Sequence, residues 1–187
     1  MDVHKCNWCV GDPLYEAYHD TEWGVPVFND NLLFEFLILE TFQAGLSWIT
    51  VLRKRENFKQ AFDNFDFNKI INYNEDKIND LLNDTGIIRN KLKVRATITN
   101  AQAYINIQKE FGSFSDYIWA FVNKKPIQNN YKNLDDVPAN TPLSDIISKD
   151  LKKRGFKFVG STVVYAYVQA IGMVNDHLTS CFRHGQL

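Results

Sequence analysis

Apolar and polar positions recur with a helical period along most of the chain, and the strict alternation that marks half-buried strands is scarce. The clearest stretch runs from Leu33 to Trp48, LFEFLILETFQAGLSW. Leu33, Phe36, Leu37 and Glu40 fall at i, i+3, i+4 and i+7, which predicts an amphipathic helix with Glu40 on its apolar face. Asp30 is its expected cap, Gly45 its C′ residue and Ser47 the cap of the next helix, SWITVLRKRENFKQAF. Leu46 is then left at a tight corner beside Gln43, either folded back as a staple or standing out as a probe or pocket lip. Asp12 and Pro13 start a short helix through Tyr18. Asn68 to Leu82 reads as amphipathic, Arg89 to Glu110 as a long basic helix, and Phe114 to Val122 as a helix with an aromatic face. Ser144 is placed to cap a helix reaching about Arg154. Gly155 and Gly160 bracket a short connection, and Ser161 opens a helix through about Ala170. Only Pro126 to Pro142 is irregular. The expectation is one all-α domain over residues 1–187, its terminal segments (about 1–24 and 172–187) paired with each other.

Glu40 changes this picture from packing to chemistry. An ionised carboxylate on a buried face is unfavourable, so it must pair with a cation, shift its pKa upward or line a cavity that receives a ligand. Aromatics surround it in sequence: Trp8, Tyr15, Tyr18, Trp23 and Trp48. Such residues are ordinary core, yet around a buried carboxylate they also make a cage for a flat cation.

Composition adds limits. With 187 residues, 45% hydrophobic and 23% charged, the chain can bury an ample core and is not disordered. No apolar run opens the chain, and VVYAYVQAIGMV is too short and interrupted to span a bilayer, so a cytoplasmic monomer with no membrane partner is expected. The formal charge of −1 names no partner, but basic residues gather in three runs: Arg53 to Arg55, Arg89 to Arg95, and Lys152 to Lys157. A basic face on a near-neutral protein is compatible with a nucleic-acid partner.

All three Cys and all four His lie in the first 19 or the last 11 residues. Reduced thiols and imidazoles confined to the two ends suit a metal better than a disulfide. His177 and Cys181 are i and i+4, and with Cys6 and His19 they complete a closed Cys2His2 set for one structural Zn2+ that ties the ends together. Cys6 and Cys9 also form a C-x2-C pair, which leaves Cys9 as an alternative ligand. In the segment LKKRGFKFVGSTVVY, a glycine turn opening a helix presents backbone N–H groups able to hold a phosphate, with Lys157 in the turn.

The segments CNW, DPLYEAYHDTEWGVP, LETFQAGLSWITVLRKREN, GIIRNKLK, FVN, LKKRGFKFVGSTVVY and VNDHLTSC, in order from Cys6 to Cys181, resemble the bacterial 3-methyladenine DNA glycosylase I family. The resemblance implies the helix-hairpin-helix DNA glycosylase fold and hydrolysis of the N-glycosidic bond of flipped-out 3-methyladenine in double-stranded DNA. It implies zinc on Cys6, His19, His177 and Cys181, with Cys9 spare. It also implies a base pocket of Tyr15, Tyr18, Glu40 and Trp48 joined by Trp8 and Trp23, with Glu40 catalytic. Gln43 lies beside that pocket, one turn beyond Glu40. Leu46 matches a residue that enters the base stack, and the turn with Gly155, Lys157 and Gly160 matches the DNA-anchoring hairpin. Most helix-hairpin-helix glycosylases carry an essential Asp well beyond the hairpin. The acid nearest that place here is Asp176, closer than usual, and no Lys stands out for a Schiff base, so a monofunctional enzyme is implied. The competing readings are a zinc-stapled DNA-binding protein without activity, and a small-molecule hydrolase, which would explain the pocket but not the hairpin.

Overall fold

The computed structural model describes residues 4–187 and is mostly helical. Asp12 caps α1 (Pro13–Thr21) by accepting hydrogen bonds from the Leu14 and Tyr15 N–H groups, with Pro13 at the first helical position where its missing N–H is harmless. The next helix, α2 (Asp30–Gln43), is the centre of the fold. Every residue from Leu33 to Phe42 is buried, so α2 is enclosed on all sides and is not the one-faced amphipathic helix that the periodicity predicts. Leu33, Phe34, Phe36, Leu37, Ile38, Leu39 and Phe42 are each at most 1% exposed, and each such side chain stabilises the fold by about 1.5–3 kcal/mol.

The cap of α2 is Asn29, whose side chain accepts from the Leu32 N–H, and not Asp30. Asp30 instead reaches across to accept from the Phe114 and Ser115 N–H groups at 2.9 and 2.8 Å, capping α8 (Phe114–Ala120). The run after Ser47 breaks at Arg53 and Lys54 into α3 (Trp48–Leu52) and α4 (Arg55–Ala61). Likewise the stretch from Asn68 divides into α5 (Phe67–Ile70) and α6 (Glu75–Asn83), the latter capped by Asn74. The long helix α7 (Lys91–Phe111) packs on α2, α5, α6 and α8. Thr141, in a reciprocal capping pair with Ser144, begins α9 (Pro142–Lys153) one turn earlier than a cap at Ser144 would. A turn leads to α10 (Ser161–Ala170), which packs against both α9 and α2.

Two short parallel strands, β1 (Ile127–Gln128) and β2 (Val174–Asn175), fasten the irregular segment to the chain end. Gly172, at φ +70°, crosses the backbone of the N-terminal segment so closely that a Cβ would lie 2.4 Å from the Val25 carbonyl carbon. Only glycine fits there. Among the described residues, no helix is long and apolar enough to cross a membrane.

Candidate active site

A cavity of about 420 Å³ opens between α1, the C-terminal half of α2, the start of α3, one face of α10 and the 134–139 segment. Its walls include Trp8, Tyr15, Tyr18, Trp23, Glu40, Gln43 and Trp48, all seven residues that the sequence nominates for a pocket. Trp8 packs against Tyr15 and Trp23 at ring separations of 4.7 and 5.0 Å, while Tyr18 and Trp48 meet at 5.5 Å. The walls therefore form two aromatic groups with a carboxyl among them.

The helix α2 buries two carboxyl groups, and their surroundings differ sharply. Glu35 is held by Arg55 at 2.6 Å, and Arg55 is held in turn by Glu22. Among the described residues no cation reaches Glu40, and its Oε2 has no hydrogen-bond partner. Burial alone pushes the Glu40 carboxyl up to about 8. Two further orphaned polar atoms belong to the same walls, the Tyr18 hydroxyl and the Trp48 indole N–H. Burial keeps the Tyr18 phenol well above its ordinary value, so it remains a neutral donor. An acceptor, a hydroxyl and an N–H, all buried and without a protein partner around one cavity, are complementary to a flat polar ligand.

Sequence reasoning missed the opposite wall. Thr162, Tyr165, Ala166 and Gln169 lie at i, i+3, i+4 and i+7 on α10 and face the cavity, as do Leu134 and Val137 to Ala139. The Thr and Gln interrupting an otherwise apolar helix were the available signal. Asp176 also lines the cavity, but its carboxylate is occupied, accepting from Tyr165 at 2.5 Å, Gln169 at 2.8 Å and Asn129 at 2.6 Å.

Behind the Trp8 and Trp23 wall, Cys6, His19, His177 and Cys181 converge with all four donor atoms within 4.8 Å of one another. The His19 Nε2 to His177 Nδ1 distance is 3.2 Å, and three S–N distances run from 3.4 to 3.8 Å. A tetrahedral ion with ordinary metal–sulfur and metal–nitrogen bonds requires about 3.3 Å between two nitrogens and about 3.6 Å between a sulfur and a nitrogen. The second nitrogens are committed elsewhere: His19 Nδ1 to Asp20 at 2.8 Å and His177 Nε2 to the Trp23 carbonyl at 3.1 Å. This fixes which nitrogen of each ring faces the cluster. Burial depresses both imidazoles, His177 to about 4, keeping them in the neutral ligating form. It raises the Cys6 thiol to about 12, so its proton would leave only to a metal. Cys9 turns away, its thiol donating to the Cys6 carbonyl. The four residues thus fit a metal ion with no open position.

Leu46 is 42% exposed at the corner after Gly45, a helix-ending residue at φ +84°, so it is not folded back as a staple. The turn between α9 and α10 buries Phe156 and Val159 and exposes Lys157 and Phe158 at its tip. The basic runs are more engaged than their composition suggests. Arg53 pairs with Asp12, Arg95 with Glu75 and Arg154 with Asp150 and Glu110, while Lys93 is turned inward. Arg89, Lys91, Lys152, Lys153 and Lys157 remain exposed.

The sequence model of the methyladenine glycosylase family matches residues 8–184. Over 179 residues, 96% of each chain, this protein is 48% identical to DNA-3-methyladenine glycosylase 1 of Escherichia coli (strain K12). It superposes on a crystal structure of 3-methyladenine DNA glycosylase I with a TM-score of 0.93 and 50% identity, covering 96% of this chain and 98% of the other. A tyrosine-to-phenylalanine variant of 3-methyladenine DNA glycosylase I, solved in complex with 3-methyladenine, gives a TM-score of 0.92 at 35% identity, covering 95% and 96%.

Proposed function

The chain belongs to the methyladenine glycosylase family, and from that membership and its cavity we infer that it is a DNA-3-methyladenine glycosylase, a base-excision repair enzyme. The observation that carries this reading is the unpartnered Glu40 among aromatic rings, beside the orphaned Tyr18 hydroxyl and Trp48 N–H.

Methylation at N3 gives adenine a positive charge and weakens its bond to the sugar. The C1′–N9 bond breaks with its electron pair going to the base, which leaves neutral. Water adds to C1′ and loses a proton. No general acid is needed. Each good contact of the charged base with Tyr15, Tyr18 or Trp48 contributes about 0.5–2 kcal/mol, and less with neutral adenine. Glu40 accepts from the exocyclic amine and stabilises positive charge on the base or developing on the sugar. Trp8, Trp23 and Gln43 complete the walls. The proposed enzyme is monofunctional, without a Schiff-base step; among the described residues no lysine lines the cavity.

The substrate is double-stranded DNA, from which the base must be extruded at a cost of a few kcal/mol. Leu46 fills the gap. The α9–turn–α10 unit is the helix-hairpin-helix anchor, with Gly155, Lys157 and Gly160 against the phosphates. The α10 N-terminus has no side-chain cap, which leaves the first N–H groups of α10 for a ligand, whereas the Gly155 and Lys157 N–H groups are spent on the Lys152 carbonyl and on Asn100. The metal is one structural zinc on Cys6, His19, His177 and Cys181. When bound it supplies a tie between the chain ends, and through His177 and the Trp23 carbonyl it steadies one cavity wall. The protein acts as a single cytoplasmic monomeric domain.

Release of free 3-methyladenine from methylated duplex DNA tests the reading. The expected result is base release with intact abasic strands. DNA binding without release would favour the zinc-stapled binding protein instead.

A further inference from the structure

Lys93 and Asn100, two of the three buried polar residues of α7, are used by neither the cavity nor the metal cluster. Lys93, in the middle of a basic run, faces inward: its ammonium donates to the Phe42 carbonyl at 3.0 Å and the Ala44 carbonyl at 2.9 Å. These belong to the end of α2 and the start of the corner that carries Leu46. Terminal carbonyls of a helix lack intrahelical N–H partners, and a cation is favourably placed there. Among the described residues no carboxylate pairs with Lys93, so its hydrogen bonds are spent on the corner backbone alone.

Asn100 is fully buried, and both ends of its amide grip a single residue of the turn. Its Oδ1 accepts from the Lys157 N–H at 2.7 Å and its Nδ2 donates to the Lys157 carbonyl at 3.1 Å. Asn100 follows Lys93 by seven residues, so both project from one face of the helix, about 10 Å apart along its axis. Hence α7 is a rigid bar with one clamp on the backbone beside Leu46 and one on the backbone of the turn tip. Both clamped segments leave their outer side chains, Leu46 and Lys157, exposed.

We propose that Lys93 and Asn100 are positioning residues that hold the Leu46 corner and the 154–160 turn in fixed register, so that wedge and anchor engage duplex DNA together. The inference rests on Leu46 being the gap-filling residue. Two apolar side chains would fill the same volumes in α7, but they would leave the corner and the turn free to shift, and small misplacements at such sites are amplified in rate.

The test is single-turnover excision of 3-methyladenine from duplex and from single-stranded DNA by Leu46→Ala, Lys93→Met and the double variant, with folding checked by thermal melting. Lys93→Met should slow duplex excision about 10-fold, leave single-strand excision within about twofold, and add almost nothing once Leu46 is removed. Asn100→Ala should raise the duplex KM about 10-fold at constant kcat, and its effect should likewise shrink once Leu46 is removed, because both clamps serve one register. Additive losses from Lys93→Met and Leu46→Ala, or equal losses on both substrates, overturn the proposal. Parental duplex activity in Leu46→Ala alone would instead remove the gap-filling role itself. If Lys93→Met does not fold, Lys93→Gln, which keeps one amide donor, must show the same non-additivity.

Discussion

Replacing Glu40 by Gln keeps its shape and removes its acidity, and the consequences can be followed in stability and in rate. The Glu40 carboxyl has an ordinary value of 4.5 and is pushed to about 8 in the fold. Because the folded value is the higher one, the folded state holds this proton more tightly. That contribution is present in full below about pH 4.5 and is lost as the pH rises to about 8. At about 1.4 kcal/mol per pH unit, the loss is on the order of 3 kcal/mol by pH 7 and on the order of 5 kcal/mol above pH 8. Glutamine has nothing to lose. The stability of Glu40→Gln relative to the parent should therefore grow by on the order of 3 kcal/mol between about pH 5.5 and about pH 8 in denaturant titrations. Activity should move the opposite way. The charged lesion recruits the ionised carboxylate, so parental kcat/KM should rise with pH through about 8, the value of the free enzyme. Glu40→Gln should show no such rise, running about 10- to 100-fold slower at pH 8 and converging with the parent at acid pH. A stability gap that does not change with pH would mean Glu40 is not a desolvated acid. Parental excision rates across the range would make it a structural residue.

Elemental analysis should find about one zinc per chain, and Cys6→Ala or His177→Ala should destabilise far more than Cys9→Ala; metal retained by Cys6→Ala but lost from Cys9→Ala would reassign the ligands. Lys157→Ala should weaken binding to all duplex sequences alike and reduce the slope of log affinity against log salt by about one, and an unchanged slope would remove Lys157 from the interface. Gly172→Ala forces a Cβ to 2.4 Å from backbone at a positive φ, so it should lower stability by at least about 2 kcal/mol in thermal or denaturant unfolding, and a loss under about 0.5 kcal/mol would show that the crossing can open.

Local chemistry is what the sequence by itself determined. Asp12 before Pro13 starts a helix, Ser161 to Ala170 is helical from end to end, and soft ligands gather at the chain ends whatever the rest does. Each of these depends on groups within a turn or two, or on residue type alone. Partner choice was decided by the tertiary structure. Periodicity put Glu40 on a buried face, yet α2 is buried all round, and Glu35 is enclosed as well. Only the arrival of Arg55, 20 residues further on, at Glu35 makes one carboxylate an ion pair and leaves the other unpartnered. Asp30, a sound cap for its own helix, caps α8 because Phe114 and Ser115 are brought to it. Lys93 looks like part of a basic surface until the end of α2 offers it carbonyls, and the α10 wall of the cavity becomes a wall only when packed against α2. Propensity and capping are summed along the chain, whereas the energy of a buried polar group is set by whichever atoms come within about 3 Å of it.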